Sequence, residues 1–294
     1  MGLARILCPV DMSEPSRRAF DCARALAEDQ QAELIVLHVV DTTLWTGLAV
    51  DAMRSLSDAR RNALSDELEW WVARRAGDAV PIRTEVREGP VRAVILDAVS
   101  ELSIDLIVMA THGRSGFERF VLGSVTEKVL RRVPCPVLTV PSHAEAIVRP
   151  GGRGRIVCAT DGSELSKPAL ARARALAESR RAPLSVISVV AWPEGESPSS
   201  LPEQVLNVRR RLEEQAAVML AQLVEGWESR PDLVVRFGKP GRQIVAYAAQ
   251  VQAELIVVGV SGRGALDRML LGATAHEVVR DAACPVLCVP ADAG

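Results

Sequence analysis

Short, nearly continuous apolar runs alternate along this chain with longer stretches of helical period, the pattern of parallel strands joined by crossover helices. In the first half the runs are Arg5–Val10, Glu33–Val39, Ile82–Arg87, Asp105–Ala110 and Cys135–Val140. LIVLHVV and DLIVMA hold almost no polar residue, as expected of strands covered on both faces. Ser13 and Glu14 open a helix that runs to Glu28, with Ala19, Ala23, Leu26 and Ala27 on one face. A longer amphipathic segment spans Asp51–Arg75, Pro90 marks the first turn of a third helix, and a fourth begins at Leu122 to Gly123. The adjacent Trp70 and Trp71 point apart on such a helix, so one packs and its neighbour lies on a rim.

The pattern then repeats. RILCPVDMSEPSRRAFDCARALAE at Arg5–Glu28 recurs as RIVCATDGSELSKPALARARALAE at Arg155–Glu178, and Pro240 takes the place of Pro90. Between Ile104 and Pro141, about 16 of 38 positions match their partners, far above chance, so the chain is a duplicated domain. The copies occupy 1–145 and 152–294, joined through the glycine-rich RPGGRG connector. Each copy is expected to be α/β, a five-stranded parallel sheet, doubly wound and Rossmann-like, with helices on both faces. Such sheets bind ligands at the carboxyl ends of their strands, where the strand order reverses.

Composition narrows the choice of partner. Of 294 residues, 35 are Lys or Arg and 37 Asp or Glu, giving a net charge of −2 and no electrostatic argument for nucleic acid or an anionic membrane. Only Lys128, Lys167 and Lys239 are lysines, and the excess of arginine reads as coding bias. Aromatics are 3%, so the cores are built from Val, Leu, Ile and Ala. The first ten residues carry no targeting pattern, and no apolar run approaches the ~18 residues of a membrane helix. The six cysteines form no CxxC pair, and Cys8, Cys158, Cys135 and Cys284 sit in apolar runs, the reading being reduced, buried thiols in a cytoplasmic protein.

Three loops of each copy fall at strand ends. After the first strand comes Pro9-Val10-Asp11, repeated as Ala159-Thr160-Asp161. The aspartate either accepts hydrogen bonds from an amino or ribose hydroxyl group or caps the helix that begins near Ser13. Val39-Val40-Asp41 could frame a base. The third loop is glycine-rich: Ala110-Thr111-His112-Gly113, nine residues, then Gly123-Ser124 opening a helix, repeated with Gly259, Gly262 and Gly272. Glycines let backbone approach phosphate, and free N–H groups at a helix start attract anions. His112 has Ser261 as its counterpart, which argues against a catalytic role. Arg114 and Arg263 either face phosphate or are solvated. His38, matched by Ser188, reads as structural.

VMATHGRSGFERFVLGSVTEKVLRRVPCPVLTVP resembles the carboxyl-terminal signature of universal stress proteins, and PVDMSEPSRRAF their amino-terminal one. The resemblance covers essentially the whole chain as two tandem copies. It implies ATP, with or without Mg²⁺, as ligand, held by an Asp after strand one, a Val after strand two and a Gly-x2-Gly-x9-Gly-Ser or Thr loop. Carried across, the first copy offers Pro9, Val10, Asp11, Val39, Ala110, His112, Gly113, Arg114, Gly123, Ser124 and Val125. The second offers Ala159, Thr160, Asp161, Val189, Gly259, Gly262, Arg263, Gly272, Ala273 and Thr274. Each copy departs once. Ala110 adds a methyl at a close-approach position, which reduces binding without abolishing it. Ala273 removes a hydroxyl donor to phosphate, a bond worth roughly 1.5–3 kcal/mol, or about ten- to hundredfold in affinity. The first copy is therefore the expected occupied site.

The resemblance further implies a nucleotide-dependent regulatory module in stress or growth-arrest adaptation. It also implies pairing of the two copies through their last strands, with homodimers as a further assembly. A slow ATPase or phosphotransferase is the rival reading, and a nucleotide-free interaction scaffold the third. The enzyme reading lacks a GxxxxGK[ST] loop, a lysine in either glycine loop and an evident carboxylate pair for Mg²⁺.

Overall fold

A computed structural model describes residues 3–43, 49–75, 80–113, 122–142, 152–193, 201–260 and 271–291. The chain divides into two units, one built on Met1–Ser142 and the other on Gly151–Gly294.

The first unit holds β1 (Arg5–Val10), α1 (Glu14–Gln30), β2 (Glu33–Val40), α2 (Ala49–Ala73), β3 (Ile82–Glu88), α3 (Val91–Glu101), β4 (Leu106–Ala110), α4 (Ser124–Leu130) and β5 (Val137–Val140). Its strands are all parallel, in the order β3-β2-β1-β4-β5. Leu7 lies level with Ile35 on one side and Ile107 on the other. Those three and Ile6, Leu34 and Leu37 are buried. Each such side chain contributes about 1.5–3 kcal/mol by leaving water. Consecutive buried positions along β1, β2 and β4 require cover on both faces, which the crossover helices supply. The strand order reverses between β1 and β4, so the carboxyl ends of these two strands flank the switch point.

The second unit repeats this plan: β6 (Ile156–Ala159), α5 (Lys167–Arg180), β7 (Leu184–Ala191), α6 (Glu203–Leu223), β8 (Asp232–Gly238), α7 (Pro240–Gln250), β9 (Leu255–Val260), α8 (Ala273–Asp281) and β10 (Val286–Pro290). Its parallel order is β8-β7-β6-β9-β10. The copies differ where proline is placed. In the first, Pro15 sits in the opening turn of α1, where its missing N–H is harmless. In the second, the proline is Pro168, so the α-helix proper starts at Lys167 and the preceding Glu164–Ser166 winds as a 3₁₀ turn. Pro90 likewise departs from expectation. It is the residue before α3, with φ −61° and ψ 116°, whereas Pro240 is the first residue of α7.

A carboxylate tethers the start of the first strand in each copy. Asp105 accepts hydrogen bonds from the Ala4 and Arg5 amides at 2.8 and 2.9 Å. In the second copy, the longer Glu254 accepts from Gly154 at 3.0 Å and also faces Arg180 at 3.6 Å. The extra methylene fits because residue 154 is glycine; a Cβ there would lie 2.1 Å from Glu254 Oε2.

All six cysteines are free and buried. Burial pushes the thiols of Cys135, Cys158, Cys284 and Cys288 up to about 12, so they stay protonated and unreactive at neutral pH. The tryptophan pair divides as expected. Trp71 packs edge-on to Phe20 with centroids 5.3 Å apart, while Trp70 is 59% exposed under the Arg74 guanidinium. Trp71→Ala is expected to cost about 3–5 kcal/mol in urea unfolding, and Trp70→Ala under ~1 kcal/mol. Equal losses would contradict this packing.

Candidate functional site

The site begins at the turn after the first strand of each unit. Met12 and Gly162 both adopt left-handed backbone, with φ 60° and 78°. That conformation folds the following serine back onto the aspartate. Asp11 Oδ1 accepts from the Ser13 amide at 3.0 Å and from the Ser16 hydroxyl at 2.8 Å. Asp161 Oδ1 accepts from the Ser163 amide and hydroxyl at 3.0 and 2.6 Å. Ser13, not Asp11, caps α1, its hydroxyl accepting from the Ser16 amide. The aspartate braces the capping residue from the strand side. Burial works against the charged form of Asp161, but the Ser163 hydrogen bonds outweigh it and hold the carboxyl below its ordinary range. Asp161 is therefore a carboxylate, an acceptor only, at neutral pH.

The glycine loop reaches this turn from β4. A Cβ on Gly113 would sit 2.7 Å from Asp11 Oδ2, so Gly113 lies directly on the carboxylate. Gly123 returns to the strand end, where its amide donates to the Thr111 carbonyl at 2.8 Å. A Cβ on Gly123 would be only 2.8 Å from that same oxygen. Gly123 then caps α4, which leaves Ser124 exposed in the first turn and Val125 half-buried behind it. The Thr126 hydroxyl donates to the Ala110 carbonyl at 2.8 Å, pinning α4 to the end of β4. His112 is buried, its Nδ1 2.9 Å from the Thr111 hydroxyl. Its Nε2 has no hydrogen-bond partner among the described residues. His38 Nδ1 lies 2.9 Å from the Val10 carbonyl, so this histidine steadies the end of β1, beside Pro9 and Val10. Val39 is half-buried at the end of β2.

In the second unit the same elements enclose a cleft of about 370 Å³, within the usual range of small-ligand sites. Ala159, Thr160, Asp161, Val189, Gly259, Gly272, Ala273 and Thr274 all line it. Gly262, Arg263 and, in the first copy, Arg114 lie outside the described residues. The walls also include residues not anticipated from sequence. Ile187 and Val258 come from β7 and β9, Pro240 and Ile244 from α7, and Ser163, Leu165 and Ser166 from the turn after β6. Leu165 carries the one signal that was readable, an apolar residue inside an otherwise polar DGSELS loop, and it is 47% exposed.

The glycines have different reasons to be glycine. A Cβ on Gly259 would meet the Leu165 carbonyl at 3.0 Å and Ser166 Cα at 3.3 Å, so the close approach there is to the chain's own 3₁₀ turn. The first copy has no such turn, its helix already running from Glu14, and it buries the methyl of Ala110. Around Gly272, by contrast, nothing among the described residues lies within 4 Å of a Cβ. Gly123→Ala is expected to lower stability by about 1–3 kcal/mol through overpacking. Gly272→Ala should stay within ~0.5 kcal/mol. Chemical denaturation checks both, and a large loss at Gly272 would contradict the open space described.

A family model described as the universal stress protein family matches residues 2–141 and again 152–290. A universal stress protein of Mycobacterium tuberculosis is 34% identical over 188 residues, 62% of this chain and 61% of that protein, so the match spans less than two thirds of that relative. One from Mycolicibacterium smegmatis is 27% identical over 296 residues, covering 97% of this chain and 96% of its own. Among solved structures, a universal stress protein from Archaeoglobus fulgidus shares the fold, with TM-score 0.66, 21% identity and 98% of each chain covered. With both halves matched in order and nearly end to end, the chain belongs to the universal stress protein family, as a tandem two-domain member.

Proposed function

We propose that this protein binds an adenine nucleotide, ATP being the expected ligand, and acts as a regulatory module in adaptation to stress or growth arrest. The observation that carries the reading is the second-unit cleft, which gathers every described residue of that copy singled out from sequence. Its chemistry suits a nucleoside. Ile187, Val189, Val258 and Ile244 offer apolar walls to a planar base. Asp161, held as a carboxylate, accepts from an amino or hydroxyl group. The first N–H groups of α8, beginning at Ala273 behind the open Gly272, face phosphate. Bound nucleotide supplies the signal through its phosphates, and the chain's own part is to hold and orient it. In the first unit Asp11 and Gly113 lie together at the matching place, with Ser124 supplying the hydroxyl that Ala273 lacks.

Calorimetric titration of ATP tests this. Losing a hydrogen bond to the aspartate costs roughly 1.5–3 kcal/mol, so Asp11→Ala and Asp161→Ala should each weaken their own site by about ten- to hundredfold. Gly272→Ala should weaken the second site with its melting temperature unchanged. Undiminished binding in both aspartate variants would overturn the pocket assignment. Phosphate release under multiple turnover, above a protein-free control, would move the reading to a slow ATPase.

A further inference from the structure

We propose that Met219 is an oxidation site, and that converting its thioether to the sulfoxide loosens the turn that carries Asp161. A Cβ on Gly162 would lie 2.8 Å from Met219 Sδ, 3.0 Å from its Cγ and 3.4 Å from its Cε. Three atoms of one side chain on α6 therefore fill the volume that any other residue at 162 would need. The turn they press on is closed by hydrogen bonds of its own, including the Ser166 hydroxyl to the Ser163 carbonyl at 2.8 Å. The Gly162 amide donates to the Thr160 hydroxyl at 3.1 Å, and Ser163 folds onto Asp161 through the two bonds already described. Asp161, Ser163 and Thr160 all line the cleft, so a wedge behind Gly162 bears on the cleft from outside.

The side chain is reachable. Met219 is half-exposed and lines an open groove of about 370 Å³ along α6, together with Arg211, Glu214, Gln215, Val218 and Gln222. Met109, on β4, is 4% exposed and shielded. The arrangement belongs to the second copy. In the first, position 12 is itself methionine in the left-handed conformation, so its own Cβ starts where the α6 side chain is packed in the second.

The chemistry needs a peroxide as co-reactant. A sulfur lone pair attacks one peroxide oxygen, forming the S–O bond as the O–O bond breaks. Sulfur loses two electrons, and the other oxygen leaves with the transferred proton as water. The product is polar and bulkier at the sulfur. On the Gly162 side there is no space for the new oxygen, so the sulfoxide has to turn toward the groove and withdraw the wedge. The link to ligand binding rests on the nucleotide reading above; the oxidation and its effect on the turn do not.

The test treats the full chain with hydrogen peroxide and follows three readouts: peptide mass at Met219, amide hydrogen exchange over 160–166, and ATP affinity of the second site in an Asp11→Ala background. Met219 should gain one oxygen well before Met109, exchange over 160–166 should rise, and affinity should fall about five- to tenfold. Methionine sulfoxide reductase should reverse the last two. Met219→Leu should bind as before and be insensitive to peroxide, while Met219→Gln, polar without oxidation, should show the faster exchange untreated. An unoxidised Met219, unchanged exchange after its oxidation, or the same response in Met219→Leu would overturn the proposal. If the untreated protein binds no ATP, the nucleotide reading fails, and exchange over 160–166 still decides the role of Met219.

Discussion

The site depends on one small constraint, a left-handed residue locked between an aspartate and the serine that follows it. The turn after β1 or β6 has to reverse direction within three residues, at the point where two buried parallel strands end side by side. A left-handed conformation at Met12 or Gly162 makes the reversal, and the aspartate Oδ1 closes it by accepting from the next amide. The cost differs between copies. Glycine takes φ 78° without penalty, whereas methionine at φ 60° stores roughly 1–2 kcal/mol. The strain at Met12 is tolerated because Ser13 and Ser16 both hold the same carboxylate oxygen. Neighbouring backbone packs against this turn: Gly113 on Asp11 in one copy, Gly259 of β9 on the 3₁₀ turn in the other.

Duplication makes the chain its own control. Where one copy changes a residue, the structure shows what absorbed the change. Asp105 with Ala4 becomes Glu254 with Gly154, a longer carboxylate matched by a missing Cβ. Lys128, exposed on α4, becomes Glu277, buried on α8 and paired with Lys239 at 3.0 Å. That carboxylate too is accommodated by a glycine, since a Cβ on Gly241 would lie 2.4 Å from its Oε2. The pattern is of compensated drift, in which each copy keeps its strand order with a different set of side chains. The Ala110 and Gly259 pair follows the same logic, because the tight approach at this position is to a 3₁₀ turn that only the second copy possesses.

The strands and the repeat were legible because continuous apolar runs leave few alternatives for a chain that must bury them. Ends of elements were less so. Pro90 and Pro240 occupy matching positions, yet one precedes its helix and the other begins it. The shifted start of α5 followed from the move of proline from position 15 to position 168, a three-residue change visible in sequence but easily passed over. The polar residues that line the second-unit cleft could be picked out because their place after each strand repeats between the copies and resembles the family's pattern. The apolar walls could not. Ile187, Val258 and Ile244 look like any other core residue in the sequence, and only the strand register and the placement of α7 turn them toward the cleft.

The central claim is that this cleft holds an adenine nucleotide, and native mass spectrometry of the intact chain with excess ATP asks that most directly. The account predicts a mass increase corresponding to bound nucleotide, with one equivalent needing about ten- to hundredfold more ATP to appear in Asp161→Ala. An intact chain that stays unliganded at saturating ATP, or that fills at the same ATP concentrations in Asp11→Ala and Asp161→Ala as in the unaltered protein, would contradict it.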